Sequence, residues 1–143
     1  MASRDYLIRQ FEEMGFFLAS LLRRVLKLKE DHQQEQMATT VRQELMQELK
    51  LDIEQLIMLE NQEFLTLIKN YLTSEEQLEK LADIMNVLGQ DLSQSFSLTK
   101  ANYLRKSLFL FNYLQENSPV FSYERRMKIL AIQDELRFKG LTD

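Results

Sequence analysis

The stretch DYLIRQFEEMGFFLASLLRRVLKLK, residues 5–29, decides the fold. Leu7, Phe11, Met14, Leu18, Leu21, Val25 and Leu28 recur at steps of 4-3-4-3-4-3, the spacing of one side of an α-helix. Ile8, Gly15 and Leu22 lie beside this seam and widen it. The pattern predicts a helix over about 4–29 with Ser3 as its N-cap. Asp5 near its start and Arg23, Arg24, Lys27 and Lys29 near its end suit the helix dipole. Inside it, residues 14–22 are nine uncharged residues in a row, against the ~20 that a bilayer span needs. Phe16 and Phe17 fall outside the seam, so the middle turns are apolar nearly all round. Such a helix is covered on more than one side, by the rest of the chain, by a partner or by a membrane surface.

The remainder of the 143 residues has the same helical character. There are 3 Gly and 1 Pro, while Leu, Glu, Gln, Lys and Met abound, so strand and hairpin punctuation is missing. Residues 30–38 are polar and aperiodic and read as a loop, with a helix following at about 38–50 on Val41, Leu45 and Leu49. Asp52 reads as the cap of a short helix at 53–59, with Gln55 at the capping-box position. A helix at 62–72 carries Phe64, Leu65, Ile68 and Tyr71. TSEEQ at 73–77 offers two capping boxes, Thr73 with Glu76 or Ser74 with Gln77, opening a helix that runs to Leu88 with Gly89 as its stop. A helix at 99–117 is ended by Ser118-Pro119, and Ser122 caps a last one at 123–138 that Gly140 closes.

Charge and composition narrow the chemistry. The net charge is −4, with six Lys/Arg against three Asp/Glu in residues 1–29, four against fourteen in 30–99, and eight against five in 100–143. Basic ends flanking an acidic middle suit contacts within the fold or solvated faces. The basic runs RRVLKLK (23–29) and ERRMK (124–128) read as solvated helix ends rather than as a nucleic-acid stripe. With no Cys, disulfides and thiolate chemistry are excluded. His32 is the only histidine and lies in a polar segment, so a transition-metal site built on imidazole is not expected. The acid pairs Glu12-Glu13, Glu75-Glu76 and Asp134-Glu135 are adjacent on helices and point about 100° apart, away from any common substrate. The three glycines are scattered, so no phosphate loop is present.

DYLIRQFEEMGFFLASLL (5–22) resembles the opening of a family of small uncharacterised bacterial proteins with an Asp-Tyr-Leu-x-Arg-Gln-Ile-Glu-x-x-Gly-like start. LDIEQLIMLENQEFLTLIKN (51–70), LEKLADIMNVLGQ (78–90) and FSYERRMKI (121–129) are similar to its later segments. Phe11 stands where an aliphatic residue is usual, and Phe16-Phe17 is bulkier than the pattern. The resemblance implies a tetratricopeptide-like helical fold and brings no activity or cofactor with it. Phe111 and Pro119, eight apart, echo the same repeat, although the rest of its pattern is absent.

The expectation is an all-α fold of six or seven antiparallel helices in a single domain over 1–143, a tetratricopeptide-like array or bundle. The expected role is a non-catalytic, cytoplasmic interaction or assembly module with no cofactor, metal or nucleic acid. It would associate with itself or another protein through Phe16, Phe17, Phe109 and Tyr113, the last two standing off the Ala101/Leu104/Leu108/Phe111 face of their helix. Two alternatives stay open. One is a peripheral membrane-surface protein. The other is a carboxylate enzyme whose cavity gathers two or more of Glu54, Glu63, Asp83 and Asp134.

Overall fold

Leu18, Leu21 and Val25, the middle of the opening seam, are fully buried and start the core. The structure, a computed structural model, describes residues 2–91 and 97–138. Among these residues the chain is all-helical, with no strand. The helices are α1 (Ala2–Glu30), α2 (Met37–Leu49), α3 (Ile53–Leu56), α4 (Asn61–Ile68), α5 (Glu75–Gly89), α6 (Leu98–Asn117) and α7 (Tyr123–Phe138). Buried side chains from all seven form one apolar cluster. The first helix begins at Ala2, so Ser3 falls inside it rather than ahead of it. Gly140 lies outside the described residues.

The helix starts follow local polar chemistry. Asp52 Oδ1 accepts from Glu54 N at 3.0 Å, and Ser122 Oγ accepts from Arg125 N at 3.1 Å. At TSEEQ the pair that forms is Ser74 with Gln77: Ser74 Oγ accepts from Gln77 N at 3.1 Å. Gln77 Oε1 in turn accepts from Thr73 N at 2.9 Å. The same buried side chain donates from Nε2 to Phe11 O of α1 at 3.0 Å, so one cap residue also fastens the longest helix. Ser97 caps α6 by accepting from Lys100 N.

Helix ends follow the sequence signals less closely than helix starts do. The expected loop at 30–38 contains a 3₁₀ turn, Gln34–Gln36, and the helices at 53–59 and 62–72 stop early, at Leu56 and Ile68. α1 and α2 end on left-handed residues that are not glycine: His32 at φ 58° and Lys50 at φ 57°. Each is followed by a backbone bond reaching back over the last turn, Gln33 N to Leu28 O at 2.8 Å and Leu51 N to Leu45 O at 3.4 Å. Gly89, expected as the stop of α5, is instead its last helical residue, and Gln90 is the cap. Its lack of a side chain serves packing: a Cβ there would sit 2.5 Å from Leu104 Cγ and 3.1 Å from Leu104 N of α6. Nearby, Ser107 Oγ donates to Ala82 O at 2.8 Å, again joining α6 to the backbone of α5.

α6 is the helix that is covered nearly all round. Ala101, Tyr103, Leu104, Lys106, Ser107, Leu110, Phe111 and Leu114 are buried, a far wider arc than the single face read from its sequence. α7 lies against α6 and is tied to α5 by charge. The Arg125 guanidinium makes a paired contact with Glu79, Nε to Oε2 at 3.1 Å and Nη2 to Oε1 at 2.6 Å. Its Nη1 donates to Gln115 Oε1 at 3.0 Å, and Lys128 Nζ reaches Asp83 Oδ1 at 2.8 Å. The hydrogen bonds that Arg125 donates to Glu79 hold its proton more tightly than usual, against the opposing effect of burial. ERRMK is therefore not simply a solvated helix end: its Arg125 is buried, and its half-buried Lys128 is held by Asp83.

Two substitutions separate the roles of space and φ. Gly89→Ala is expected to cost about 1–3 kcal/mol by forcing α5 and α6 apart. Lys50→Gly is expected to raise stability by up to about 1 kcal/mol by relieving the left-handed residue. Urea denaturation of the two variants beside the parent chain measures both shifts.

Candidate interaction surface

A helix whose seam faces a core must turn its opposite side outward. On α1 that outer side carries Arg9, Glu12, Glu13, Phe16, Arg23 and Lys27, all exposed. Ser20, half-buried, lies among them. Phe16 is 73% exposed, so the wrapping of the first helix that its composition allows does not occur on this side. Phe17 is half-buried and packs on the core. Together with Arg9, Glu12, Glu13 and Glu48 of α2, the two rings line an open groove of about 400 Å³. Three of its six lining residues are glutamates. Further along the same side, Ser20, Arg23, Arg24, Leu26, Lys27 and Glu30 line a second groove of about 520 Å³, which is basic. Arg24 reaches Glu44 of α2 at 2.6 Å, and Arg23 Nη2 donates to Ser20 Oγ at 3.2 Å.

The other two aromatics named from the sequence lie elsewhere. Phe109 and Tyr113 are half-buried and packed against the core. Phe109 meets the Phe64 ring of α4 edge-on, with centroids 6.3 Å apart. Lys69, just after α4, donates to the Tyr113 hydroxyl at 2.8 Å and lies 5.2 Å from the ring centre. Lys106 completes this seam from α6, donating to Asn61 Oδ1 at 2.7 Å. The four residues thus fall into two places, one on the outer side of α1 and one at the α4–α6 junction.

Sequence reading missed two exposed apolar surfaces. Residues 4–13 of α1 are exposed throughout, including Leu7 at 63% and Phe11, although both belong to the seam. Gln77 Nε2 holds α1 at Phe11 O, and the seam residues Leu7 and Phe11 lie exposed among the described residues, so the seam outruns the core it was expected to meet. On α7, Tyr123, Met127 and Leu130 are exposed in 4-3 spacing, opposite the buried Ile129, Ile132 and Leu136. Phe121 rests edge-on against Tyr123, with centroids 5.2 Å apart. The doubled 4-3 pattern of α7 was the available signal.

The carboxylates proposed for an enzymatic cavity are dispersed over α3, α4, α5 and α7. Glu54 faces Arg42 at 3.6 Å, Asp83 faces Lys128, and Asp134 faces Arg137 at 3.4 Å. Among the described residues no group of three His, Cys, Asp or Glu is placed to hold a metal ion. His32 is exposed at the left-handed end of α1. No helix among them is long and apolar enough to cross a membrane. An open groove of about 610 Å³ runs along α2 and is lined by Arg42, Met46, Lys50 and Asp52 among others. Tyr103 of α6 is buried close to these charges. Burial above all, then the negative charge of Glu54, pushes its hydroxyl up to about 12, with Arg42 acting the other way.

The chain matches no family model, no curated protein and no solved structure. Of the family resemblance, what the structure supports is the all-helical chain.

The fold holds Tyr103 as the neutral phenol. Its folded value of about 12 lies above the ordinary 10.0, so its contribution is intact below pH 10 and is lost as pH rises from 10 to 12. The loss expected is about 2–3 kcal/mol. Unfolding measured across that window should show the fall in the parent chain and a flatter profile in Tyr103→Phe.

Proposed function

We propose that this protein is a non-catalytic helical assembly module that associates with a second copy of itself through the outer side of α1. Its helices are arranged as antiparallel neighbours in a tetratricopeptide-like array, in keeping with the small bacterial proteins that its first helix resembles. It works in the cytoplasm, with no cofactor, metal or nucleic acid. The observation that carries the reading is Phe16. A large ring 73% exposed in the middle of the longest helix, with charged residues around it, has the make-up of an interface centre with a polar rim. Phe17 forms the wall of the same groove and joins that centre to the core. Phe109 and Tyr113 take a supporting part, since their rings brace α6 on α4. Two-fold pairing is the simplest assembly, because a single self-complementary patch suffices for it.

Light scattering over a wide concentration series tests the reading. The parent chain should approach twice 17.1 kDa as concentration rises. Phe16→Glu should remain at 17.1 kDa with an unchanged helical circular dichroism signal, because its side chain contributes little to the monomer core. A parent chain that stays monomeric at every concentration would refute self-association.

A further inference from the structure

We infer that the partner is a second copy of this chain whose α1 crosses the first antiparallel, with the two-fold axis at the level of Leu18. This inference rests on the self-association reading and adds its geometry. It comes from how charge and size are ordered along the outer side of α1. Glu12 and Glu13 lie before Phe16, while Arg23 and Arg24 lie after Ser20, and all four charged residues are exposed. The sequence is close to antisymmetric in charge about residue 18: positions 12 and 13 are acidic where 24 and 23 are basic. A parallel pairing in register would set acid against acid and base against base. An antiparallel two-fold pairing sets Glu12 and Glu13 of each copy beside Arg23 and Arg24 of the other, twice over.

Size follows the same symmetry. In that register Phe16 stands opposite Ser20 of the other copy, and Phe17 opposite Ala19. A large ring thus meets a small side chain on both sides of the axis. Glu12, Phe16, Ser20 and Arg24 form one i, i+4 ridge, the kind that packs into its counterpart at a crossing angle of about −50°. Helices crossing so steeply touch over only two or three turns. Arg9 and Lys27, which the register would otherwise bring face to face, lie about 13 Å along the axis from the crossing and diverge. Lys27 is in any case held by Asp31 at 3.5 Å. The short contact falls below the roughly 800 Å² per partner of a standard interface, so the dimer is expected to be reversible and concentration-dependent.

The bare arm at 4–13 is the rival surface for a second copy. It is apolar through Leu7 and Phe11, but Arg4 is the one charge beside those two residues, and with no acid on that side it supplies no complementary order. The outer side of α1 is therefore the surface to which the charge pattern points.

The test is a charge exchange read by sedimentation equilibrium or light scattering. Glu13→Arg and Arg23→Glu, which face each other in this register, are made separately; Arg24 is left alone because it also holds Glu44. Each variant is expected to weaken its own dimer by at least about tenfold, since each places like charges together at both symmetric sites. An equimolar mixture of the two should recover dimer near the parent affinity, because each unlike pair is then restored. Unchanged circular dichroism excludes misfolding. If the parent dimerises but neither reversal weakens it, the crossing is wrong while self-association stands; loss of dimer in Phe11→Glu instead would move the interface to the arm. If both reversals weaken the dimer and the mixture does not recover it, the antiparallel register is overturned. A monomeric parent at every concentration would remove this geometry together with the reading on which it rests.

Discussion

The close approach of α5 and α6 is the constraint on which the rest of the molecule depends. Gly89 leaves room for Leu104, and Ser107 donates to the carbonyl of Ala82, so the two helices meet backbone to side chain with nothing bulky between them. A helix held that closely to one neighbour still has most of its circumference to cover. α4 covers part of α6 through Phe64 and Asn61, and α7 covers another part. α5 in turn receives α1, and its Glu79 and Asp83 receive the cations of α7. The core is thus organised around a pair of helices from the second half of the chain.

This order explains why α1 has a free side. A long amphipathic helix docked on one element, with α2 along one flank, keeps its far side in water. The apolar composition of residues 14–22 is divided between two surroundings: Leu18 and Leu21 enter the core, while Phe16 stands outside. Gln77 holds α1 at Phe11 O, and the seam residues Leu7 and Phe11 lie exposed among the described residues. The same division appears on α7, whose Ile129, Ile132 and Leu136 are buried while Tyr123, Met127 and Leu130 face outward. Exposed apolar rows at 4-3 spacing on helices already anchored by another face are surfaces suited to further helices.

Charge is used in two ways. Arg125 with Glu79 is enclosed and hydrogen-bonded, and locates α7 on α5. Arg24 with Glu44 is open to solvent and worth far less to stability, as exposed pairs are. Its value lies in keeping the basic end of the outer face of α1 ordered beside α2. The separation of acidic and basic ends along that face costs the monomer little, because water screens both, and it becomes consequential only when a second surface excludes that water.

The amino-acid sequence by itself determined that the chain is helical, where most helices begin, and which side of α1 is apolar. Those properties are local: a 4-3 spacing, a Ser or Asp that caps, a Pro that ends a helix. It left the helix ends less legible, because α1 and α2 close on His32 and Lys50, and backbone bonds rather than glycines make those turns. It also misassigned Gly89, whose reason is a neighbour fifteen residues later in the chain, Leu104. Of the four aromatics marked for the surface, the pattern could show only that they lay off a seam. Tertiary structure alone decided that Phe16 is open, that Phe17, Phe109 and Tyr113 are half-covered, and that α6 rather than α1 is the enclosed helix. The physical reason is that burial depends on which helices come together. Periodicity records which side of a helix is apolar but not how many neighbours it will have, nor where along its length they stop.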